Sequence, residues 1–427
     1  MKIAIIGSGI AGNVVAHHLH RQHDITLFEA ASHVGGHTHT HSVALDGENH
    51  EIDTGFIVFN DWTYPNFIAL LNELGVASQP SSMSFSVRNE RSGLEYNGTS
   101  LNGLFAQRRN LLRPAFHRMI REILRFNREA PALLHATADM TLGEYLAAGR
   151  YSAGFIRDYL IPMGAAIWST DPQRMLSFPA VYLIRFFHNH GMLSVADRPQ
   201  WRVIRGGSAR YVEKLVAPFR NRTRLNTPVA SVRRLPDRVM VQPRGGEGER
   251  FDQVFFACHS DQALKLLVDA SALERAVVGA IPYQRNEAVL HTDSGLLPRA
   301  RRAWAAWNYQ VPDTAAGSDE PPATLTYNMN ILQGLHSRHT YCVTLNRTAQ
   351  IAPKKILRKI TYHHPLYTRE GVAAQLRQHE VNGVNRTYFC GAYWRYGFHE
   401  DGVVSALNAL RHFEKATHEQ CHIPRVA

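Results

Sequence analysis

Residues 2–12 read KIAIIGSGIAG, a short apolar run that leads directly into three glycines. The run at 2–6 predicts a buried parallel strand, and the apolar spacing of residues 10–22 predicts a helix. DITLFE at 24–29 predicts a second strand. Strand, helix and strand form a βαβ unit, which predicts an α/β fold built on a parallel sheet.

The glycines and one acid give this unit its chemistry. Gly7 allows a tight turn, Gly9 lets the backbone approach a diphosphate, and Gly12 lets the helix pack closely on the strand. The phosphates would then lie at a helix N-terminus, where free N–H groups stabilise negative charge. Glu29 ends the second strand, where its carboxylate can accept the hydroxyls of an adenosine ribose. The stretch predicts dinucleotide binding, and the motif alone does not separate FAD from NAD.

Length, charge and cysteine pattern narrow the class of protein. At 427 residues the chain exceeds one usual core, which predicts two domains. Its 47 basic against 36 acidic residues give a net charge of +11, which favours anionic partners. No nucleic-acid-binding motif accompanies this charge, so we predict no nucleic acid partner. The sequence has no apolar window long enough to span a membrane, and its N-terminus predicts a strand instead of a signal peptide.

The cysteines are widely scattered, with no pair at a zinc-binding spacing. Reduced thiols in the cytoplasm are the simplest interpretation. These residues are Cys258, Cys342, Cys390 and Cys421.

The order of strands and helices predicts a chain that leaves the nucleotide-binding domain and returns to it twice. Helical stretches rich in arginine and aromatic residues run from about 61 to 190, and strands return at 201–260. GGEGE at 245–249 predicts a hairpin tip, and TYFCGA at 387–392 predicts a last buried strand. The predicted nucleotide-binding domain comprises residues 1–60, 195–260 and 381–427, and a smaller domain comprises residues 61–194 and 261–380.

Glycine-rich segments beyond the first turn resemble the motifs that line the flavin in the flavin-containing amine oxidase and phytoene desaturase superfamily. Gly35 and Gly36 form a double glycine soon after Glu29. The resemblance then extends over nearly the whole chain. Its further segments are IDTGF at 52–56, WRVIRGGSARYVEKL at 201–215, FDQVFFAC at 251–258 and FCGAYWRYGFHEDGVVSAL at 389–407.

The resemblance implies FAD as the cofactor and a Rossmann-like FAD-binding domain interleaved with a smaller α+β substrate domain. It also implies that Glu400 or Asp401 contacts the ribityl chain, and that Gly402 and Val403 lie against the isoalloxazine ring. A helix that begins near Gly402 would point its N-terminus at the reduced flavin and stabilise its negative charge. The FAD contacts predicted in this way are Gly7, Gly9, Ile10, Ala11, Gly12, Glu29, Ala30, Gly35, Gly36, His37, Thr54, Gly55, Phe56, Gly391, Glu400, Asp401, Gly402 and Val403.

Departures from the family pattern bear on the substrate. His37 stands where many members have arginine, residues 285–293 contain no lysine of the kind that amine oxidases place near the flavin, and Phe398 supplies at most half of an aromatic cage. A second dinucleotide motif is also missing, so we expect reduced flavin to pass electrons to oxygen, a quinone or a carrier protein. More narrowly, AIWSTDP and RFFHNHGML resemble bacterial predicted NAD/FAD-binding proteins, whose relatives occur beside or fused to cyclopropane-fatty-acid-synthase-like methyltransferases.

The leading hypothesis is an FAD-dependent oxidoreductase that removes hydride from an apolar substrate, an acyl chain of a membrane lipid, and introduces unsaturation. Such a reaction also needs a base. His188 and His190 are the candidates, with hydrogen-bonding core histidines as the other interpretation. Phe398, at one position of the aromatic cage, completes the predicted catalytic residues. One alternative function is an amine oxidase that releases hydrogen peroxide. Another is a flavin-binding partner of a lipid methyltransferase that has no turnover of its own.

Two further features have simpler interpretations. His37, His39 and His41 alternate as on a strand and offer three imidazoles to a metal. The neighbouring double glycine favours a polar strand close to the flavin instead, so we predict no metal. Cys390 is interpreted as a small buried apolar residue and not as a point of covalent flavin attachment.

Residues 113–128 predict an amphipathic helix with one stripe of arginines and one apolar stripe. One interpretation is a solvated helix over the substrate-domain core. The other is a helix on an anionic membrane surface, which would suit a lipid substrate and the positive charge. That arrangement would place a cytoplasmic protein peripherally on the inner membrane face.

Overall fold

The computed structural model describes residues 1–135, 140–313 and 323–418. Within these ranges no helix is long and apolar enough to cross a membrane. Cys421 and the end of the predicted 381–427 segment lie outside the described residues.

The described residues form both strands and helices, with a run of helices from α3 to α9 and a run of strands from β10 to β14. The strands are β1 Lys2–Ile6, β2 Asp24–Phe28, β3 Thr40–Leu45, β4 Glu48–Asp53, β5 Val58–Asn60, β6 Ser78–Pro80, β7 Phe85–Asn89, β8 Leu94–Asn97, β9 Trp201–Ile204, β10 Thr223–Arg224, β11 Val229–Arg234, β12 Val239–Pro243, β13 Glu249–Phe251, β14 Gln253–Phe256, β15 Tyr283–His291, β16 Trp307–Val311, β17 Leu325–Asn328, β18 Cys342–Leu345, β19 Ile356–Pro365 and β20 Thr387–Phe389. The helices are α1 Ile10–Leu19, α2 Pro65–Glu73, α3 Leu101–Leu104, α4 Pro114–Glu129, α5 Leu142–Ala148, α6 Ala153–Phe155, α7 Ile161–Trp168, α8 Pro172–Met175, α9 Ala180–Asn189, α10 Ala209–Val216, α11 Ser260–Leu266, α12 Ala272–Val278, α13 Met329–Gln333, α14 Arg369–Gln375, α15 Gln378–Val381 and α16 His399–Thr417.

The parallel sheet predicted from the first βαβ unit is present. In the described chain it has five strands in the order β10-β2-β1-β14-β20, and β1 pairs in parallel with both β2 and β14. Ile3 and Ile5 face a core formed with helices, whereas Ala4 and Ile6 face a second core on the other side. Successive side chains of a strand point to opposite faces. Burial of both faces therefore explains why the strand sequence is continuously apolar.

Helices and a small sheet cover the two faces of the parallel sheet. On one face α1, α2, α10 and α16 pack together, with Tyr211 and Phe413 fully buried. On the other face the antiparallel sheet β11-β12-β13 and helices α11 and α12 pack. The turn between β12 and β13 holds the predicted GGEGE tip, because Val241 pairs with Glu249 across that hairpin. The predicted α/β fold is confirmed.

A mixed sheet forms the frame of the second unit. Within the described residues it has seven strands in the order β19-β15-β18-β17-β16-β7-β8. Helices α4 to α9 pack against it through one continuous apolar core. The sequence predicts mainly helices from 61 to 190, but β7 and β8 lie in this range and complete the sheet edge. Their alternating pattern is too short to separate from the surrounding helical periodicity.

The packing also differs from the predicted domain boundaries. Phe67 and Leu71 of α2 lie in the core beneath the parallel sheet, although the sequence predicts that residues 61–194 belong to the smaller domain. Ala263 of α11 and Val277 of α12 pack on the opposite face of that sheet, although the sequence predicts that residues 261–380 belong to the smaller domain. The apolar side chains of these helices are buried on the faces of the parallel sheet.

Helix α4 matches the predicted amphipathic helix. Phe116, Met119 and Phe126 are buried in the core of the second unit, so the apolar stripe is covered by protein. Arg125 lies 4.0 Å over the ring of Tyr151. The apolar face of α4 thus packs on the substrate-domain core, as the first interpretation predicts.

Candidate active site

The three glycines of the first turn have separate structural roles. Gly7 has a φ of +104°, and a Cβ there would lie 2.8 Å from the carbonyl oxygen of Ala257. A Cβ on Gly12 would lie 1.9 Å from the carbonyl oxygen of Gly7, so α1 packs directly on the turn. A Cβ on Gly9 would meet no atom within 4 Å, because Gly9 opens onto a cavity. Gly7 and Gly12 are therefore required by protein packing, whereas the space beside Gly9 is open to a ligand.

Glu29 lies where β2 ends, beside the glycine turn. Its carboxylate accepts hydrogen bonds from the Ser8 backbone N–H at 2.9 Å, the Ser8 hydroxyl at 2.5 Å and the Ala31 N–H at 2.8 Å. The side chain also lines the cavity. These donors fix the carboxylate at the adenosine end of the predicted cofactor site.

The double glycine lies against the same turn. Gly35 and Gly36 both have positive φ, and a Cβ on Gly36 would lie 3.1 Å from the Cα of Gly9. Gly55 of the IDTGF segment packs more closely still, since a Cβ there would lie 2.0 Å from the carbonyl oxygen of His37. Only glycine allows such backbone contacts. Three distant glycine segments therefore meet at one point.

Asp53 ties these segments to the second double glycine of the chain. Its buried carboxylate accepts hydrogen bonds from the Thr40 hydroxyl at 2.6 Å, the Ser208 hydroxyl at 2.7 Å and the Ser208 N–H at 2.9 Å. Burial raises the pKa of Asp53 to about 6, against the lowering effect of these donors. At neutral pH the charged form therefore links β3, β4 and the start of α10.

These elements enclose a cavity of about 990 Å³. It runs from the glycine turn to an aromatic region between the two units, where Trp168, Trp307, Tyr327 and Tyr367 lie. Of the predicted site residues, the structure brings Gly7, Gly9, Ile10, Ala11, Glu29, Ala30, Gly35, Gly36, His37, Thr54, Gly55, Phe56, Gly391 and Phe398 to its lining.

The acids near the C-terminal motif do not line this cavity, and both line a second, smaller one. Glu400 accepts hydrogen bonds from the Asn66 side chain at 2.6 Å and the Phe67 N–H at 2.8 Å, so it caps the N-terminus of α2. Asp401 accepts from the Phe398 N–H at 2.9 Å and caps its own helix. Burial raises the pKa of Glu400, and that of Asp401 to about 7. Both acids thus cap helices, and the ribityl contact from either acid stays a prediction.

Helix α16 begins at His399, three residues before the predicted start near Gly402. A Cβ on Gly402 would lie 2.5 Å from Cγ2 of Ile10, so Gly402 lies against α1, and Val403 is buried in the same core. Neither residue lines the cavity, and their contact with the flavin ring stays a prediction. His399 lines the cavity instead and is hydrogen-bonded to the hydroxyl of Tyr211 at 2.7 Å.

The predicted catalytic histidines lie outside the main cavity. His188 is exposed near the end of α9. His190 is buried, stacks on Phe186 with ring centroids 3.9 Å apart, and lines a smaller cavity of about 360 Å³. Burial lowers the pKa of His190 to about 4. The structure therefore does not bring either imidazole to the main cavity, whereas Phe398 lines both cavities.

The HTHTH segment does not present three imidazoles on one face. His39 and His41 are neighbours, with ring centroids 4.0 Å apart, but His37 stacks on Tyr362 at 4.9 Å. In the described part of the chain, no group of three or more His, Cys, Asp or Glu side chains could hold a metal ion. Cys390 is fully buried, and burial raises the pKa of its thiol.

Sequence reasoning missed the part of the site that β19 contributes. Tyr362, His363 and His364 line the cavity, and His259 reaches it from the segment after β14. TYHHPLY at 361–367 is unusually dense in histidine and aromatic residues, which is the signal that would have marked it. That pattern does not predict that β19 lies at the edge of its sheet and contributes to the cavity lining.

This geometry defines a dinucleotide-binding protein with an adjoining aromatic chamber. The family model described as flavin containing amine oxidoreductase matches residues 10–290, which is 281 of the 427 residues. The chain belongs to that family, and it is an FAD-dependent oxidoreductase. No match is found among curated proteins.

Solved structures share the fold over almost the whole chain. A cyclohexylamine oxidase from Brevibacterium oxydans IH-35A has 16% identity and a TM-score of 0.70, with 97% of this chain and 99% of that chain covered. A fatty acid isomerase from P. acnes that produces CLA has 16% identity and a TM-score of 0.67, with 96% and 98% covered. A putative protoporphyrinogen oxidase from Exiguobacterium sp. 255-15 also has 16% identity and a TM-score of 0.67, with 98% and 99% covered. At these identities the likeness shows the fold.

The lining of the cavity fits FAD, the cofactor of the family. The open backbone at Gly9 and the α1 N-terminus suit a diphosphate, and Glu29 suits a ribose. Buried polar atoms without a protein partner point to a ligand, because such atoms are costly to leave unpaired. Nε2 of His37, the hydroxyl of Tyr367 and Nε1 of Trp307 are atoms of this kind, and all three residues line the cavity.

Proposed function

We propose that this enzyme dehydrogenates an uncharged, apolar substrate, an acyl chain of a membrane lipid. One observation carries the proposal. Among the described residues that line the cavity, Glu29 is the sole carboxylate, and it lies at the adenosine end. The chamber at the other end is walled by aromatic and aliphatic side chains and offers an ammonium group no carboxylate.

The chamber wall suits a hydrocarbon chain. Its lining includes Trp168, Trp307, Tyr327, Leu345 and Ile360. The ring of Trp168 is held in place by tilted contacts with the rings of Phe178 and Phe186. Burial of each methylene contributes about 0.8 kcal/mol, so a segment of about eight methylenes would gain roughly 6 kcal/mol before its ordering costs. An apolar chain can therefore be held here without a charged anchor.

These positions indicate what the flavin and the protein side chains would each contribute to the reaction. When bound, the flavin accepts a hydride from the substrate. The chain's own residues hold the cofactor at the glycine turn, exclude water from the chamber and orient the substrate along its aromatic wall. The fatty acid isomerase of similar fold supports this assignment only in showing that the architecture occurs with a fatty acid enzyme.

The main alternative is an amine oxidase. The family description and the cyclohexylamine oxidase of similar fold favour it. Tyr396 and Phe398 offer aromatic surfaces to an amine at the cavity wall. The absence of a carboxylate from the chamber side of the described lining weighs against a cationic substrate, since a buried ammonium group needs a compensating charge.

Anaerobic stopped-flow spectroscopy tests the proposal. We expect the visible absorbance of the bound flavin to bleach on mixing with bacterial phospholipid vesicles and to remain unchanged with putrescine or cyclohexylamine. An Ile360→Asp variant, which puts a charge on the half-buried chamber wall, should keep its flavin but bleach at least roughly tenfold more slowly, because the carboxylate would lose hydration against an apolar chain. Leu376→Asp, on an 80% exposed residue away from the cavity, is the matched control.

The possible outcomes separate the functions. Bleaching by the amines alone would replace the proposal with an amine oxidase. A flavin that responds to neither would favour a flavin-binding partner of a lipid methyltransferase, an association that stays a prediction of the family resemblance.

We also propose that the surface formed by residues 101–128 contacts an anionic bilayer. Leu101 is 77% exposed and Leu112 is 87% exposed. Two hydrogen bonds link its segments, because Arg108 donates to Asn102 at 2.6 Å and His117 is bonded to the carbonyl oxygen of Leu111 at 2.8 Å. These residues include seven arginines and one glutamate. Basic residues near anionic lipid contribute about 1 kcal/mol each, and exposed leucines can enter the interface.

Vesicle sedimentation tests this surface. The wild type should sediment with vesicles of phosphatidylglycerol and phosphatidylcholine, and much less with phosphatidylcholine alone, because arginines attract anionic headgroups. Leu112→Asp should reduce binding at least roughly fivefold, since it removes an inserted side chain and adds a negative charge. Leu376→Asp should bind as the wild type does. Binding that ignores anionic lipid content, or that survives Leu112→Asp, would exclude this surface.

A further inference from the structure

His37 occupies a distinctive place in the cofactor site. It directly follows Gly36, whose backbone touches the glycine turn at Gly9. Its ring lines the cavity and is fixed by stacking on Tyr362, with centroids 4.9 Å apart. Its Nε2 is buried and has no hydrogen-bond partner. A fixed imidazole with a free nitrogen therefore lies beside the part of the turn that is open to a diphosphate.

Two more imidazoles stand next to His37. The ring centroids of His259 and His364 lie 5.8 Å and 5.6 Å from that of His37. His259 closely follows the end of β14, where the carbonyl of Ala257 contacts Gly7. His364 belongs to β19 and is hydrogen-bonded to Asn286 through Nδ1 at 2.9 Å. Three separate segments thus form a wall of imidazoles near the glycine turn.

No permanently charged base stands beside His37. Among the described residues of the cavity lining, the lysine and arginine side chains are Lys265 and Arg244, both exposed, and Lys265 pairs with Asp261 at 3.0 Å. Burial lowers the pKa of His37 to about 4 and those of His259 and His364 to about 3, so these imidazoles are neutral at pH 7. The other titratable or charged groups around the wall are Glu29, Cys258, Asp261, Tyr283, Tyr362, His363 and His399.

We propose that His37 contacts the diphosphate of FAD and takes up a proton from solvent when the cofactor binds, with His259 and His364 extending the same wall. The charge that an arginine would carry permanently is then acquired on binding. The inference depends on the flavin cofactor and not on the identity of the substrate.

The sign of the pH dependence follows from linkage. An anionic diphosphate stabilises the imidazolium form, so the complex binds more protons than the free protein and FAD affinity falls as pH rises. In the pH range where one proton is taken up fully, the affinity changes roughly tenfold for each pH unit. Replacement of His37 by arginine supplies a charge that does not titrate in this range, so the dependence on pH should flatten.

The experiment measures FAD binding to flavin-depleted protein between pH 6 and pH 8. We expect the dissociation constant of wild type to rise at least roughly fivefold over this range, with proton uptake detected by calorimetry in buffers of different ionisation enthalpy. His37→Gln should bind FAD more weakly at pH 6 and lose most of the pH dependence. His37→Arg should bind at pH 8 at least as tightly as the wild type and vary little with pH.

His18→Gln is the control for general effects of histidine loss. Burial also lowers the pKa of His18 to about 4, but His18 lies on α1 outside the cavity lining. This variant should keep the full pH dependence. A flat wild-type profile, or an unchanged slope in folded His37→Gln protein, would overturn the proposal. Because no substrate enters the measurement, neither result depends on whether the lipid assignment is correct.

Discussion

The Gly9→Val protein should fold normally and purify without its yellow cofactor. Gly9 has ordinary extended backbone angles, and a Cβ there would meet no protein atom within 4 Å. The valine side chain would instead occupy the part of the cavity where a diphosphate approaches the α1 N-terminus. We expect the affinity for FAD to fall at least roughly 100-fold, which corresponds to about 2.7 kcal/mol. Fluorescence titration of the flavin-depleted protein measures this change, and circular dichroism measures the fold.

Two other glycine variants act as controls for Gly9. Gly98 also has no atom within 4 Å of an added Cβ but lies outside the cavity lining, so Gly98→Val should keep its full complement of bound FAD. Gly12→Val should fail to fold, because its Cβ would lie 1.9 Å from the carbonyl oxygen of Gly7. A folded Gly9→Val protein with wild-type FAD affinity would show that the glycine turn is not the diphosphate site.

Asp53→Ala should lower the free energy of unfolding by about 3 kcal/mol or more at pH 7. The substitution leaves the buried N–H of Ser208 and the hydroxyl of Thr40 without their acceptor, and each such loss costs about 1–3 kcal/mol. It also removes the charge that joins three distant segments. Denaturant unfolding of the flavin-depleted protein measures the change separately from any stabilisation by the cofactor.

Matched substitutions locate the cause of that loss. Asp53→Asn keeps an oxygen acceptor for Ser208 and should lose less than half as much stability as Asp53→Ala. Asp237→Ala changes an exposed carboxylate and should have the same free energy of unfolding as the wild type. Equal stability of Asp53→Ala and wild type would mean that the link between β4 and α10 is not needed to hold the site together.

The cofactor end of the site was the most predictable part, for a local reason. Gly7, Gly9, Gly12 and Glu29 lie within one short βαβ unit, so their spacing in sequence fixes their arrangement in space. The opposite end depends on long-range contacts. Glu400 faces α2 and not the cavity, because α16 and α2 pack side by side and the N-terminal N–H groups of α2 need an acceptor.

Histidines show the same limit. His188 and His190 were singled out by their neighbours in sequence, but α9 turns one to the surface and buries the other against Phe186. His37, His259 and His364 come from segments more than 100 residues apart and meet in one wall. A sequence pattern cannot predict that these three histidines lie together, because their proximity depends on the pairing of β19 with β15 and on the path of the chain after β14.

The sequence by itself determined the parallel sheet, the glycine turn and the position of Glu29 beside it, because each depends on residues that are close along the chain or on backbone conformations that only glycine adopts. FAD as the cofactor followed from the resemblance of several separate motifs to a flavin family, because the glycine turn alone does not separate FAD from NAD. Tertiary structure alone decided which acids cap helices, which imidazoles line the cavity and how apolar the chamber is. Those features arise where the seven-stranded sheet packs against the nucleotide-binding unit, and burial there sets both side-chain partners and pKa.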